Sequence, residues 1–523
     1  MKISVVLKAT AILLILTMLP LISACSEMFS VFDDMMELPP EQLYSDKGDS
    51  TQEGQGKVTE DETTSDFSEG SGGGSGIIEP TPYDPVDFDG LEICVLYRNN
   101  SIYSKEWYSP TASADDISEA VEMRNNAVCE AIDLSLKFKA VPSEDIPYFI
   151  TNDINSKLHE YDFCAADAHS LASVSLKGCA SDLKDSEAFP FFDYDTVVWN
   201  QSLVKNTTQN GRLYFLTGLM QISNTYNTPL IWTNLSLSKK YEIENMQEKV
   251  LQGEWTYEEL YRLSQIVSGD AELGFAVNER SKASVAQVIP YAWDFTAVKT
   301  ADDGTHSFAM NESKALMIDA FFRSLLFEQK TSGIVSTSDF MNGRVLLIAD
   351  NFDSYSSFSG MDDANTFLPL PKYDAMQDSY YTSVANPTVI SVLDHSNSTV
   401  KMHGDAVSAF LQLSAEIGYT TDPVFNLIAN MKYLHSDIED SKTLHANAIA
   451  IYDIIIQNTV FDLVSVYSSS LNNISSLWNF MTVSDNISFS SQYAQNKLIY
   501  NQALADLDVW FGLRPSPPGN SNT

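Results

Sequence analysis

The alternation of apolar and polar positions sets out a series of elements from residue 91 onward. Leu91-Glu92-Ile93-Cys94-Val95-Leu96-Tyr97 reads as a first strand. Ile117 to about Ile132 predicts a helix that Asp116 can cap, because a carboxylate before the first turn accepts from a backbone N–H that has no partner within the helix. Leu134 to Val141 alternates as a second strand, Ile146 to His159 fits a helix, and Tyr161 to Asp167 a short, buried third strand. Strand and helix in alternation imply a mostly parallel sheet with right-handed crossovers, whose ligands lie at the carboxyl ends of the strands. Further strands are expected at Gly211 to Leu216, Pro229 to Trp232 and Arg344 to Ala349, with helices at about Gln247 to Gln252, Tyr257 to Val267 and Lys314 to Gln329. Phe367-Leu368-Pro369-Leu370-Pro371 reads as a crossing, since its prolines hold an extended path. From Gly404 onward amphipathic helices dominate.

A body running from about Phe88 to Leu513 is too long for one core and predicts two lobes. The expected division is residues 88–218 with 376–425 for the first lobe, 219–375 with 426–513 for the second, and a tail at 514–523. Ahead of the body, Lys2 and Lys8 precede the apolar run Ala9 to Ile22, which is short and Pro-interrupted. It reads as an export signal over residues 1–24 rather than a membrane span. Ile22-Ser23-Ala24-Cys25 resembles the bacterial lipobox, which makes Cys25 the expected lipid-bearing residue. Residues 25–87 are then a tether: rich in Asp, Glu, Ser, Thr and Gly, and poor in aliphatic clusters after Leu43, they cannot bury enough surface to offset ordering entropy.

Charge narrows the partners. With 70 acidic and 31 basic residues and a net charge of −39, the chain repels nucleic acid and anionic membrane surfaces. Cys94, Cys129, Cys164 and Cys179 show neither CxxC nor zinc-ligand spacing, so free thiols are expected, a single disulfide being the alternative. No metal or cofactor is implied.

Several segments, in order, resemble the carbohydrate-type extracellular solute-binding proteins of bacterial ABC transporters. They are Glu119 to Val128 with the Arg124-Asn125 pair, Trp199-Asn200 followed by Gly211-Arg212-Leu213-Tyr214, and Gly253-Glu254-Trp255-Thr256, where Thr256 would cap a helix. Phe340 to Leu347 follows, and then Leu370-Pro371-Lys372-Tyr373-Asp374-Ala375-Met376-Gln377 with Tyr380-Tyr381-Thr382, the most specific match. The chain departs from the family at Val198-Trp199, where many relatives carry two tryptophans, and at Thr233-Asn234-Leu235, where they carry Phe-Asn-Lys. Both departures bear on ligand identity rather than fold. The resemblance implies an α/β, two-lobed periplasmic-binding-protein-like fold that closes on a sugar and delivers it to ABC permease subunits from the extracytoplasmic face of the cell membrane, without catalysis.

A sugar site needs flat apolar faces for pyranose C–H groups and planar polar groups for hydroxyls. Seven Trp and 24 Tyr supply the first. The strand-end rule selects Arg98, Asn99, Asp167, His169 and Trp199 in the first lobe; Trp232 after the first crossing; Asn351, Phe352 and Tyr355 after the Arg344 to Ala349 strand; and Tyr381 and Asn386 after the later crossing. Each has a structural alternative: Trp199, Trp232, Phe352 and Trp255 as core, Arg98 with Asp167 as an ion pair, His169 as a surface histidine. Motifs for serine hydrolases, zinc proteases and phosphate loops are missing. The competing functions are a lipid-anchored glycoside hydrolase using paired carboxylates, and a peptide-binding or adhesion lipoprotein.

Overall fold

Two sheets organise the body. The computed structural model describes residues 86–100, 102–108, 116–267, 272–396, 403–420, 424, 428, 441–483 and 487–515. The export signal, Cys25 and the tether up to residue 85 lie outside the described residues, as does the tail from 516 onward.

The first sheet is built from β1 (Leu91–Arg98), β2 (Leu134–Val141) and β3 (Phe163–Asp167), with helices α1 (Asp116–Ile132), α2 (Ile146–Ser156) and α3 (Ala168–Ser175) between and after them. β1 pairs in parallel with β2 on one side and β3 on the other. β1 is covered on both faces: Ile93, Val95 and Tyr97 join one apolar cluster with Phe163 and Trp199, while Cys94 and Leu96 join another with Ile146 and Leu171. That is why its sequence is an apolar run, whereas edge strand β2 alternates and exposes Lys137 and Lys139. α2 ends at Ser156 instead of His159, because Lys157 and His159 take left-handed φ values of 58° and 55°.

After α4 (Ile222–Tyr226) the second sheet begins with β4 (Pro229–Asn234). α5 (Tyr257–Ile266), β5 (Leu273–Asn278), α6 (Lys282–Ala292), the hairpin β6 (Val298–Thr300) and β7 (His306–Phe308), β8 (Ser332–Val335), β9 (Val345–Asn351) and β10 (Asn365–Leu368) follow. The sheet order is β10-β4-β9-β5-β8, with β4 alone running against its neighbours. The chain then returns to the first sheet as β11 (Thr388–Val392), antiparallel to β3, giving β11-β3-β1-β2. Helices α7 (Gly404–Thr420), α8 (Ser441–Gln457), α9 (Leu463–Tyr467) and α10 (Phe489–Trp510) complete the fold. Among the described residues no helix is long and apolar enough to cross a membrane.

Three differences from the sequence reading have local causes. Gly211 to Leu216 is not a strand: Leu216 makes a single bridge to Ile390 and Arg212 turns back on Gln209. Phe367 and Leu368 belong to β10, and the path between the sheets starts only at Pro369. The helix expected over Lys314 to Gln329 is regular over Ser313–Arg323 and widens to π geometry over Ser324–Glu328. The four body cysteines are unpaired, and burial pushes the Cys94 thiol up to about 11.

At the amino end of β3, three imidazoles gather. His159 and His395 stack with centroids 4.0 Å apart, and His403 lies 5.7 Å from His159. His159 Nε2 is 3.0 Å from Asp162 Oδ1, and His395 Nε2 donates to Tyr161 O (2.8 Å) and lies 3.5 Å from Asp153. Burial, reinforced by the adjacent His159, holds the His395 pKa below its ordinary 6.5. A depressed histidine binds fewer protons folded than unfolded, so its contribution to stability is present above the unfolded value and lost as pH falls through the folded one. Thermal unfolding between about pH 7.5 and 5 should therefore show a falling midpoint that flattens in His395→Gln. An identical slope in the variant would assign the acid sensitivity elsewhere.

Candidate ligand site

The carboxyl ends of β1 and β3 meet the start of β11, and each contributes a polar side chain. Arg98, buried, donates from Nη2 to Thr388 Oγ1; its Nη1 lies 3.9 Å from Asp167 Oδ2 and its guanidinium carbon 3.5 Å above the Tyr103 ring. Asp167 also caps α3, accepting from Ser170 N at 2.9 Å. The ion-pair alternative for these two residues is thus what the geometry holds, and the pair fixes both strand ends. Asn99 is exposed, its N–H committed to Val141 O (2.9 Å). His169 is half-buried; its Nε2 has no hydrogen-bond partner among the described residues, and burial lowers its pKa against the pull of Asp167.

The second sheet has a denser set. Asp350, fully buried, accepts from Asn351 N (2.8 Å), Asn278 Nδ2 (2.5 Å) and Ser354 Oγ (2.5 Å). Arg280 reaches over it, 3.3 Å from Asp350 Oδ1, and grips Asp353 through two bonds of 2.7 and 2.8 Å. Asn351 Oδ1 accepts from Ser284 Oγ at 3.0 Å. Asn278 and Arg280 were not among the sequence-derived candidates because Leu273-Gly274-Phe275-Ala276-Val277-Asn278 was not read as a strand; its apolar run ending in Asn-Glu-Arg was the available signal.

The aromatic candidates separate by exposure. Trp199 and Trp232 are 0% exposed and Phe352 2%. Trp199 donates from Nε1 to Gln412 Oε1 (2.8 Å) and meets Phe192 edge-on; Trp232 lies among Phe352, Phe358 and Phe367 and donates to Asn351 O (3.3 Å). As placed, these three have no ring face open to solvent. Tyr355, stacked on Phe352, and Tyr381 are half-buried. Tyr381 donates to Asp378 Oδ1 (2.9 Å), and burial together with that carboxylate pushes its pKa up to about 12. Asn386 is half-buried, and its Oδ1 has no hydrogen-bond partner among the described residues.

The two segments that pass between the sheets are bound to one another. Thr388 N donates to Asn224 Oδ1 (2.7 Å), while Asn224 Nδ2 and Thr217 Oγ1 donate to Thr388 O (2.8 and 3.0 Å). A third stretch joins them, as Thr382 N donates to Asn458 O and Val460 N to Thr382 O. Just ahead of the first passage, a Cβ on Gly218 would lie 2.2 Å from Val198 O, so only glycine fits there.

The sequence motifs also acquire physical roles. Arg124 Nη2 holds Glu106 O (2.8 Å) and Asn125 Nδ2 holds Trp107 O (2.8 Å), pinning the loop before α1. Thr256 caps α5, Trp255 Nε1 donates to Pro369 O (2.8 Å), Tyr380 OH accepts from Trp255 N (3.1 Å), and Lys372 Nζ closes onto Gln377 O (2.9 Å). The Gly253 to Thr256 motif and the Leu370 to Thr382 motif are therefore halves of one joint.

No family model and no curated protein matches the chain. Solved structures do. The sugar-binding protein MalE from Xanthomonas citri is similar at a TM-score of 0.55 and 12% identity, over 81% of this chain and 100% of that one. The cyclic α-maltosyl-1,6-maltose binding protein from Arthrobacter globiformis matches at 0.54 and 12%, over 80% and 100%. The galacto-N-biose/lacto-N-biose I-binding protein of the ABC transporter from Bifidobacterium longum matches at 0.52 and 11%, over 82% and 98%. At this identity the likeness establishes the fold: α/β and two-lobed, with two sheets of mixed parallel and antiparallel pairing among many helices, where the sequence reading expected mostly parallel sheets.

Proposed function

We propose that this protein is the extracytoplasmic solute-binding component of an ABC importer, anchored to the membrane through lipid on Cys25, and that it takes a saccharide between its lobes. The observation that supports this most is the concentration of polar side chains at the strand ends of both sheets, in a fold whose solved counterparts are named for the sugars they bind. Those counterparts are named as binding proteins rather than enzymes, in keeping with a non-catalytic role.

In this reading the lobes comprise residues 88–218 with 376–425, and 219–375 with 426–513. Asn99, His169, Tyr355, Tyr381 and Asn386 offer surface to the ligand. Arg98, Asp167 and Asn351 set the strand ends; Trp199, Trp232 and Phe352 support them from beneath. Ligand contacts made by both lobes at once draw the population toward closure by their differential affinity for the closed state. The closed form then docks on the permease, whose ATPase supplies the energy.

A thermal-shift screen over mono- and oligosaccharides tests the reading, because a ligand specific to the folded state raises the midpoint by mass action: about 2.7 kcal/mol at a hundred times its Kd. At least one saccharide is expected to shift the midpoint and remain chemically intact. Turnover of the hit would instead make the protein a hydrolase, and shifts from peptides alone would remove the carbohydrate assignment.

A further inference from the structure

Resting on that reading, we infer that the ligand is an uncharged saccharide, and that the Arg280–Asp353 pair is the polar plate on which the second lobe receives it. The inference comes from how the two arginines at the strand ends are used. Recognition of a carboxylate or phosphate depends on a guanidinium fork with its N–H groups free to make two parallel bonds. Neither arginine has one. Arg98 has no hydrogen-bond partner at Nε, but that nitrogen is buried, and Asp167, Thr388 and the Tyr103 ring enclose the guanidinium so that no fork faces a ligand. Both terminal nitrogens of Arg280 are held by Asp353, and Nη2 also reaches Ser354 Oγ (2.6 Å) and Asp350 Oδ1.

The surrounding charge points the same way. Glu279, Arg280 and Lys282 follow β5, and Asp350 and Asp353 follow or end β9, so this strand-end group carries three carboxylates against two cations. An acidic ligand would have to displace Asp353 from Arg280 while approaching Asp350. The pair is nevertheless open to a neutral one: the Arg280 side chain is 50% exposed and that of Asp353 31%. A planar guanidinium bonded to a carboxylate presents donors and acceptors side by side, which matches adjacent hydroxyls that both give and receive hydrogen bonds. Ser284 and Asn351, bonded to each other at the start of α6, continue the same edge.

The full chain, with Arg280→Ala and Asp353→Asn variants, is titrated calorimetrically with a neutral oligosaccharide series and an oligogalacturonate series. Both substitutions are at partly exposed positions, and circular dichroism verifies that the variants fold. The wild type should bind a member of the neutral series and none of the acidic one. Arg280→Ala should weaken the neutral ligand by about tenfold or more, and Asp353→Asn, by releasing one edge of the fork, should weaken it while admitting oligogalacturonate. Wild-type affinity for the acidic series equal to that for the neutral one, or unchanged neutral affinity in both variants, overturns the inference and leaves carbohydrate binding standing. Binding of peptides with neither saccharide series overturns both.

Discussion

Trp232→Ala should lower the stability of the protein by about 3–5 kcal/mol, with a smaller loss of saccharide affinity, about tenfold at most, in the molecules that remain folded. The indole is 0% exposed and is ringed by Phe352, Phe358 and Phe367 at centroid distances of 5.3 to 5.9 Å. Removing it opens a cavity between β4, β9 and β10 that rigid aromatic neighbours cannot fill. Denaturant unfolding gives the stability change and calorimetry on the folded fraction gives the affinity. A large loss of affinity with little loss of stability would reverse the assignment and make Trp232 a stacking platform.

A second large effect is expected far from the strand ends. Asp508, fully buried on α10, accepts from His306 N (3.1 Å), His306 Nδ1 (2.5 Å) and Arg514 Nε (2.7 Å). Asp508→Ala strands all three donors, two of them on a buried histidine, and should cost about 3–5 kcal/mol. Because this carboxylate ties the C-terminal helix to the β6–β7 hairpin, hydrogen exchange should rise first in α10. Uniform destabilisation with no preferential exchange there would show that α10 is held by its apolar contacts instead.

Among the first three strands β2 was legible by its period-two alternation, β1 and β3 as apolar runs, and their helices by period 3.6, beside clear breaks such as Asp89-Gly90 and Asn99-Asn100. β8 and β11, as short as β3, carry Ser332-Gly333 and Ser391 among their apolar residues, and a glycine interrupts the apolar run of β5. The site was harder to read. Strand-end logic found Arg98, Asp167 and Asn351 where side chains do converge, but sequence carries no exposure: Trp199 and Tyr381 look equally suited to stacking until burial separates them. Arg280 is invisible without β5, and its bond to Asp353 spans 73 positions that only the sheet order brings together.

The register of the two sheets has a mechanical consequence. Asp167 is paired across the ladder with Thr388, and Asn351 with Pro229, so each stands opposite the first strand residue reached after a passage between lobes. Any torque on those connectors is delivered to the strand tips over a lever arm of a single residue pair, without working through the helices behind them. In the proposed clamp, occupancy at the tips and rotation of the lobes would in this way be geared together by the backbone itself.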